Sequence, residues 1–171
     1  AERLGLKPKF LPGDWRHGVV PEQVEAALKA DSKGEIKAVC AVHNETSTGA
    51  TSRIAEVRQA IDAAGHPALF MVDTISGLAS MDYRHDEWGV DVSISGSQKG
   101  LMLPPGISFN ALSPRALEAR KSAGFAVSYW DWLPMLELNA SGYFPYTPNT
   151  NLLYGLREAI AMLEEEGLAN T

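Results

Sequence analysis

The sequence predicts an α/β layered fold with a mostly parallel sheet flanked by helices. Three observations carry that prediction. Short apolar runs of strand length alternate with amphipathic stretches of helical period. Three of the apolar runs give way to polar loops that carry Ser, Thr and Gly. The 171 residues, 45% hydrophobic and 21% charged, suffice for one domain with a sizeable core. Strands interleaved with helices favour parallel pairing, because the intervening helix carries the chain back to the start of the next strand.

The elements follow in order. "PEQVEAALKAD" (21–31) predicts a helix with Pro21 in its first turn and Val24, Ala27 and Leu28 on one face; Gly34 ends the segment. "IKAVCAV" (36–42) predicts a buried strand, in which Cys40 reads as a small core residue. A polar loop, "HNETSTGATS" (43–52), comes next. "RIAEVRQAIDAAG" (53–65) is the clearest helix: Ile54, Val57, Ile61 and Ala64 recur at helical spacing, and Gly65 suits the position after the last turn. "ALFMVD" (68–73) predicts a strand ending in a carboxylate, and "RHDEWG" (84–89) a solvated turn. "VDVSISG" (90–96) and "GISFNAL" (106–112) predict two more strands. Ser113 followed by Pro114 marks a helix start. "NLLYGLREAIAMLEEEG" (151–167) predicts an amphipathic helix with Leu152, Leu153, Leu156, Ile160 and Leu163 on one side. The opening, "AERLGLKPKFLPGDW", reads as the middle of a domain, and the chain closes directly after a helix, so a segment of a longer protein is expected.

Composition narrows the function. A formal net charge of −6, with no basic run, argues against nucleic acid or an anionic membrane as partner. No apolar stretch reaches membrane-spanning length, and the start shows no signal-peptide pattern. One cysteine rules out a disulfide framework and argues against a zinc site built on thiolates. No ligand spacing surrounds His17, His43, His66 or His85; no metal is expected, and all four read as structural, with His43 beside the loop of interest.

If the strands run parallel, "HNETSTG", "DTISG" and "SGSQKG" converge on one edge of the sheet, where sites form in such folds. Asp73 ends an apolar run, so its charge needs a partner; it reads either as a cap or as a functional carboxylate. Lys99 is the only charged side chain between Asp91 and Arg115. It reads either as a surface lysine or as an amine kept from water and thereby made nucleophilic. An amine, a carboxylate and several hydroxyls suit pyridoxal 5'-phosphate (PLP), which needs a lysine for its aldehyde, an acid for its ring nitrogen and donors for its phosphate.

"SISGSQKGLMLPPG" (93–106) closely resembles the lysine signature of the class V aminotransferases, enzymes of PLP fold type I. "VHNETSTG" and "MVDTISGL" resemble that family's other two loops, in the right order, and the resemblance covers 10–165. It is tightest with the glyoxylate-using members, also through "GYFPYTPNTNLLYGLREAI". It implies that 1–171 is part of the PLP-binding large domain, with an N-terminal part and a C-terminal small domain outside it. It further implies transamination of serine with glyoxylate to hydroxypyruvate and glycine, a homodimer, and a cytoplasmic location (peroxisomal in a eukaryote).

Residue by residue, Lys99 matches the Schiff-base lysine and Asp73 the partner of the pyridine nitrogen. Thr46 matches a hydroxyl near the cofactor ring oxygen, Ile75 the residue under the ring, and Gln98 a phosphate ligand; Ser76 matches the pocket rim. Thr147 matches a residue that crosses a dimer interface to the phosphate, accompanied by an aromatic drawn from Tyr143, Phe144 and Tyr146, of which Tyr146 is taken. The family's carboxylate-binding arginine and ring-stacking aromatic fall outside the chain: Arg53, Arg84 and Arg157 do not match the one, nor the four tryptophans the other. Alanine–glyoxylate transamination remains open, as does a fragment or non-catalytic α/β relative. Cysteine desulfurases fit less well, because they carry histidine where Gln98 stands and need a mobile cysteine, whereas Cys40 lies in a strand.

Overall fold

The computed structural model describes residues 1–125 and 127–169. Four strands form one sheet in the order β1 (Ala38–Val42), β2 (Leu69–Asp73), β3 (Val92–Gly96), β4 (Ser108–Leu112). The first three run parallel and β4 is antiparallel to β3. Val42 pairs with Asp73, and Asp73 with Ile94, so the three parallel strands finish at one edge. Each strand begins one or two residues later than its apolar run. At β1 the cause is visible: the Ile36 N–H donates to Asp31 Oδ2 at 2.7 Å instead of entering the ladder.

The helices are α1 (Pro21–Lys29), α2 (Ile54–Ala63), α3 (Pro114–Lys121), α4 (Trp132–Asn139) and α5 (Thr150–Glu166). Gly34 and Gly65, just past α1 and α2, take the positive φ values (63° and 61°) that let the chain turn away there. Ile54, Val57 and Ile61 of α2, with Val24 and Leu28 of α1, bury against Phe70 and Val72 of β2. Each such side chain contributes about 1.5–3 kcal/mol when fully buried.

Strand alternation decides which residues join that core. Ala41, Phe70 and Val72 face the helices; Cys40, Val42, Met71 and Asp73 face the other way. Cys40 is therefore exposed rather than a core residue. A continuous apolar run such as "AVCAV" does not tell which face of the sheet is covered. The strands around its thiol still desolvate it and push its pKa up.

The "RHDEWG" turn is also less solvated than its charges imply. Trp88 packs against the core, and His85 Nδ1 lies 2.7 Å from Ser93 Oγ, which Tyr83 Oη approaches to 2.5 Å. The apolar stripe of α5 is only partly covered: Leu163 is buried, while Ile160 is 43% exposed. Helix α4 has no counterpart in the sequence prediction. Asp131 caps it, accepting the Leu133 N–H at 3.1 Å, and Arg120 grips the same carboxylate through Nε and Nη2. At the sheet end remote from the three loops, buried Asp91 accepts the Phe70 N–H at 2.8 Å and the Ser113 hydroxyl at 2.7 Å. Ser113 in turn caps α3 by accepting the Ala116 N–H, as the Ser-Pro signal predicts.

Candidate active site

Three loops leave the carboxyl ends of β1, β2 and β3. Local chemistry shapes each of them. In the first, the Glu45 carboxylate accepts the Ser47 N–H at 2.9 Å and the Ser47 hydroxyl at 2.6 Å, and these bonds hold its pKa below the usual range. In the second, Asp73 Oδ1 accepts the Ile75 N–H at 2.8 Å and tightens the turn. In the third, Ser97 is fully buried: its Oγ donates to the Pro104 carbonyl at 2.8 Å and accepts the Ile107 N–H at 3.3 Å. The Met102 N–H closes a turn on the Lys99 carbonyl at 2.8 Å.

The loops are stitched together. The His43 N–H donates to the Asp73 carbonyl at 2.9 Å, and the Ser76 hydroxyl donates to the Asn44 carbonyl at 2.6 Å. The Thr74 N–H and hydroxyl both donate to the Ile94 carbonyl at 2.9 Å. Gly100, next to Lys99, lies flat against the Leu78 carbonyl and the Ala79 backbone, where no Cβ fits. Lys99, Gln98, Asp73, Ile75 and Thr46 are thus carried on one connected set of loops.

Lys99 and Gln98 are exposed, as is Thr46, while Asp73, Ile75 and Ser76 are half-buried. Of the two sequence readings of Lys99, the exposed one is what the described residues show. Among the described residues, Lys99 Nζ and Asp73 Oδ2 make no hydrogen bond or ion pair. The Ser76 hydroxyl is committed to Asn44 and ties the second loop to the first. Tyr146 packs against Tyr129 in a tilted pair, with ring centres 4.7 Å apart, and Thr147 is exposed; no hydrogen bond, ion pair or ring contact joins either to the three loops among the described residues.

The structure adds two participants. Asn44 bridges the first and second loops, and His43 backs the second. The His43 ring is 3% exposed, wedged between Tyr83 (5.2 Å between ring centres), Trp88 (6.4 Å) and the bare backbone of Gly77. Its Nδ1 has no hydrogen-bond partner, and burial drives its pKa down against the opposing pull of Asp82. The sequence signal for both was their place in "VHNETSTG", directly after a strand.

A lysine and a carboxylate stand at the ends of adjacent parallel strands, the arrangement anticipated from the sequence. The Aminotransferase class-V family model matches residues 1–171. The chain belongs to the class V aminotransferases. It is 53% identical to the serine–glyoxylate aminotransferase of Methylorubrum extorquens over 99% of this chain and 44% of that protein. It is 46% identical to the L-aspartate–glyoxylate aminotransferase of Paracoccus denitrificans, over 99% of this chain and 43% of that one. The crystal structure of an alanine–glyoxylate aminotransferase from Nostoc sp. superposes with a TM-score of 0.79 at 33% identity, covering 94% of this chain and 42% of that one. The α/β fold, with its mixed sheet flanked by helices, is therefore that of the fold type I aminotransferases. The chain spans less than half the length of these relatives.

Proposed function

We propose that the protein is a PLP-dependent aminotransferase that moves the amino group of serine to glyoxylate, giving hydroxypyruvate and glycine. One observation carries the reading: Lys99 and Asp73, each with a side-chain atom uncommitted among the described residues, stand on interlocked loops at the ends of neighbouring parallel strands. The donor set fits the cofactor. Lys99 offers an amine without a competing carboxylate, Asp73 a carboxylate with one oxygen anchored and one open, and Thr46 and Gln98 a hydroxyl and an amide. Ile75 supplies an apolar side chain next to the acid.

When bound, PLP supplies an electron sink for the negative charge left on a substrate α-carbon. Lys99 would hold its aldehyde carbon, and Asp73 would keep the ring nitrogen protonated by placing a negative charge against it. Thr46 would offer its hydroxyl to the ring oxygen, Ile75 an apolar surface to the ring, and Gln98 its amide to the phosphate. The Lys99 amine would serve as the general base for the substrate α-proton and as the general acid that returns it. Thr147 and Tyr146 belong to a subunit interface in this reading, and the exposed aromatics Tyr143, Phe144 and Tyr154 beside them are the kind of surface a homodimer covers. A cytoplasmic location is part of the same reading.

Serine is preferred as donor because the 53% identical relative is a serine–glyoxylate aminotransferase. The aspartate–glyoxylate relative, at 46%, and the alanine–glyoxylate neighbour define the competing readings. The test incubates the full-length protein with PLP, reduces with borohydride and maps the adduct by peptide mass spectrometry. A pyridoxyl mass on Lys99 supports the assignment; an adduct elsewhere, or none, overturns it. Glyoxylate with serine, alanine or aspartate then ranks the donors by kcat/KM.

A further inference from the structure

The segment that follows Lys99 meets α5 through two leucine–glycine contacts of opposite sense, each made by the end of a leucine side chain. Leu103, four residues past the lysine, lays its Cδ2 over Gly155 of α5, so that a Cβ there would stand only 2.7 Å away. Leu152 of α5 lays its Cδ1 over Gly106 in return, where a Cβ would stand 2.6 Å away and would also meet Asn149 Nδ2 at 3.2 Å. Each partner thus places a leucine in the hollow left by the other's glycine. The contacts fall within the first two turns of α5, directly after the Asn149 cap, whose Oδ1 accepts the Leu152 N–H.

The strands alone do not fix this loop. Ser97 ties its base, the Leu103 N–H donates to the Ser97 carbonyl at 3.1 Å, and the Met102 N–H donates to the Lys99 carbonyl. Met102 sits at φ 58°, a left-handed value that a non-glycine residue holds only when its surroundings impose it. Gly100 closes one side of the turn against residues 78–80, and the leucine–glycine pairs close the other. The turn that follows Lys99 therefore lies between residues 78–80 and α5.

We infer that Gly155 and Gly106 are positioning residues for Lys99: the interlock sets where the amine stands, and α5 passes any shift of its own on to the lysine. This inference rests on the aminotransferase reading for its consequence in catalysis, but not for its mechanical content. Intrinsic helix propensity makes the opposite prediction, since alanine or a bulkier side chain at a mid-helix glycine should do no harm or stabilise the helix.

The test compares wild-type full-length protein with Gly155→Ala, Gly155→Val and the double variant Gly155→Val/Leu103→Ala. Hydrogen exchange at the Met102 and Leu103 amides is read in all four, with the Val57 and Ile61 amides of α2 as an internal control for folding. We expect Gly155→Val to speed exchange at 102 and 103 at least tenfold with α2 unchanged, Gly155→Ala to do so less, and the double variant to restore slow exchange. With PLP bound, the pH at which the cofactor absorbance band changes should shift in Gly155→Val and return in the double variant. Turnover should follow, because a misplacement of about 1 Å costs about 100-fold in rate. Unchanged exchange in a folded Gly155→Val, or a double variant no slower in exchange than the single, overturns the interlock. Should the exchange pattern hold while wild type forms no adduct at Lys99, the aminotransferase reading fails and the interlock stands.

Discussion

Asn44 and Ser76 hold each other in a reciprocal clasp: the Ser76 hydroxyl donates to the Asn44 carbonyl at 2.6 Å, and Asn44 Nδ2 approaches Ser76 Oγ at 3.1 Å. The two residues are 32 positions apart, one on the loop that carries Thr46 and the other on the loop that carries Asp73. Ser76→Ala removes the hydroxyl and leaves a half-buried carbonyl short of a donor, at a cost of about 1–2 kcal/mol. We expect a lower urea midpoint with an unchanged slope, and weaker PLP retention, read by equilibrium dialysis. A variant that keeps wild-type stability and PLP affinity would show that the clasp does not organise the site.

Lys99→Ala and Asp73→Asn separate chemistry from folding. The Lys99 side chain is exposed and its Nζ is bonded to nothing among the described residues, so alanine there should leave thermal stability almost unchanged. Turnover should fall by about 10²–10⁴-fold or more, the usual worth of a positioned acid–base group, while noncovalent PLP binding survives in part. Asp73→Asn retains an oxygen for the Ile75 N–H but not the charge, so rate should drop far more than stability. Single-turnover kinetics and calorimetry on the same samples would decide, and near-wild-type turnover in either variant removes that residue from the mechanism.

Much of this was legible in the sequence, for identifiable reasons. The four strands are short apolar runs bounded by Pro, Gly or polar clusters, and α2 repeats its apolar residues at helical spacing; both are local patterns. The face each strand buries is not local, and Cys40 was misread for that reason. Helix α4 was missed because Leu133, Met135, Leu136 and Leu138 show no single apolar side and Pro134 sits in the first turn, where proline is tolerated. In the site, the charge-free stretch around Lys99 and the carboxylate at the end of β2 stood out, whereas the Asn44–Ser76 clasp and the Leu103–Gly155 contact join residues far apart in sequence and leave no local trace. Thr147 and Tyr146 rest on family resemblance alone.

Asp91 is the polar anchor of the sheet end away from the loops. It is 2% exposed and holds together β2, through the Phe70 N–H, and α3, through the Ser113 hydroxyl; Arg115 Nε lies 3.6 Å from its Oδ1. Asp91→Ala strands the buried Phe70 N–H and the half-buried Ser113 hydroxyl, and should cost about 2–6 kcal/mol at a penalty of about 1–3 kcal/mol for each group left unpaired. Asp91→Asn, which still offers one acceptor, should cost less. Urea denaturation of the two variants beside wild type tests the order, and equal losses would mean that the charge itself, not the hydrogen bonding, matters.

His43 makes stability depend on pH in the neutral range. Its ring is buried, its Nδ1 has no acceptor nearby, and a second ring proton would have nowhere to bond. Burial therefore holds its folded pKa below the unfolded value, and the nearby Asp82 carboxylate only partly offsets this. The sign follows from proton uptake. Below the unfolded histidine pKa of about 6.5 the unfolded chain binds a proton that the folded chain refuses, so stability is fullest above about 6.5 and falls as pH drops toward the folded value. The carboxylates whose pKa values are lowered by hydrogen bonds, Asp31 and Asp131 among them, lose their contribution only in a more acidic window, below their model-compound range. Urea midpoints measured from about pH 8 to about pH 5 should decline for wild type and flatten in His43→Phe, which keeps the ring packing against Tyr83 and Trp88 without the titration. A slope that persists unchanged in His43→Phe would assign the pH dependence to another group.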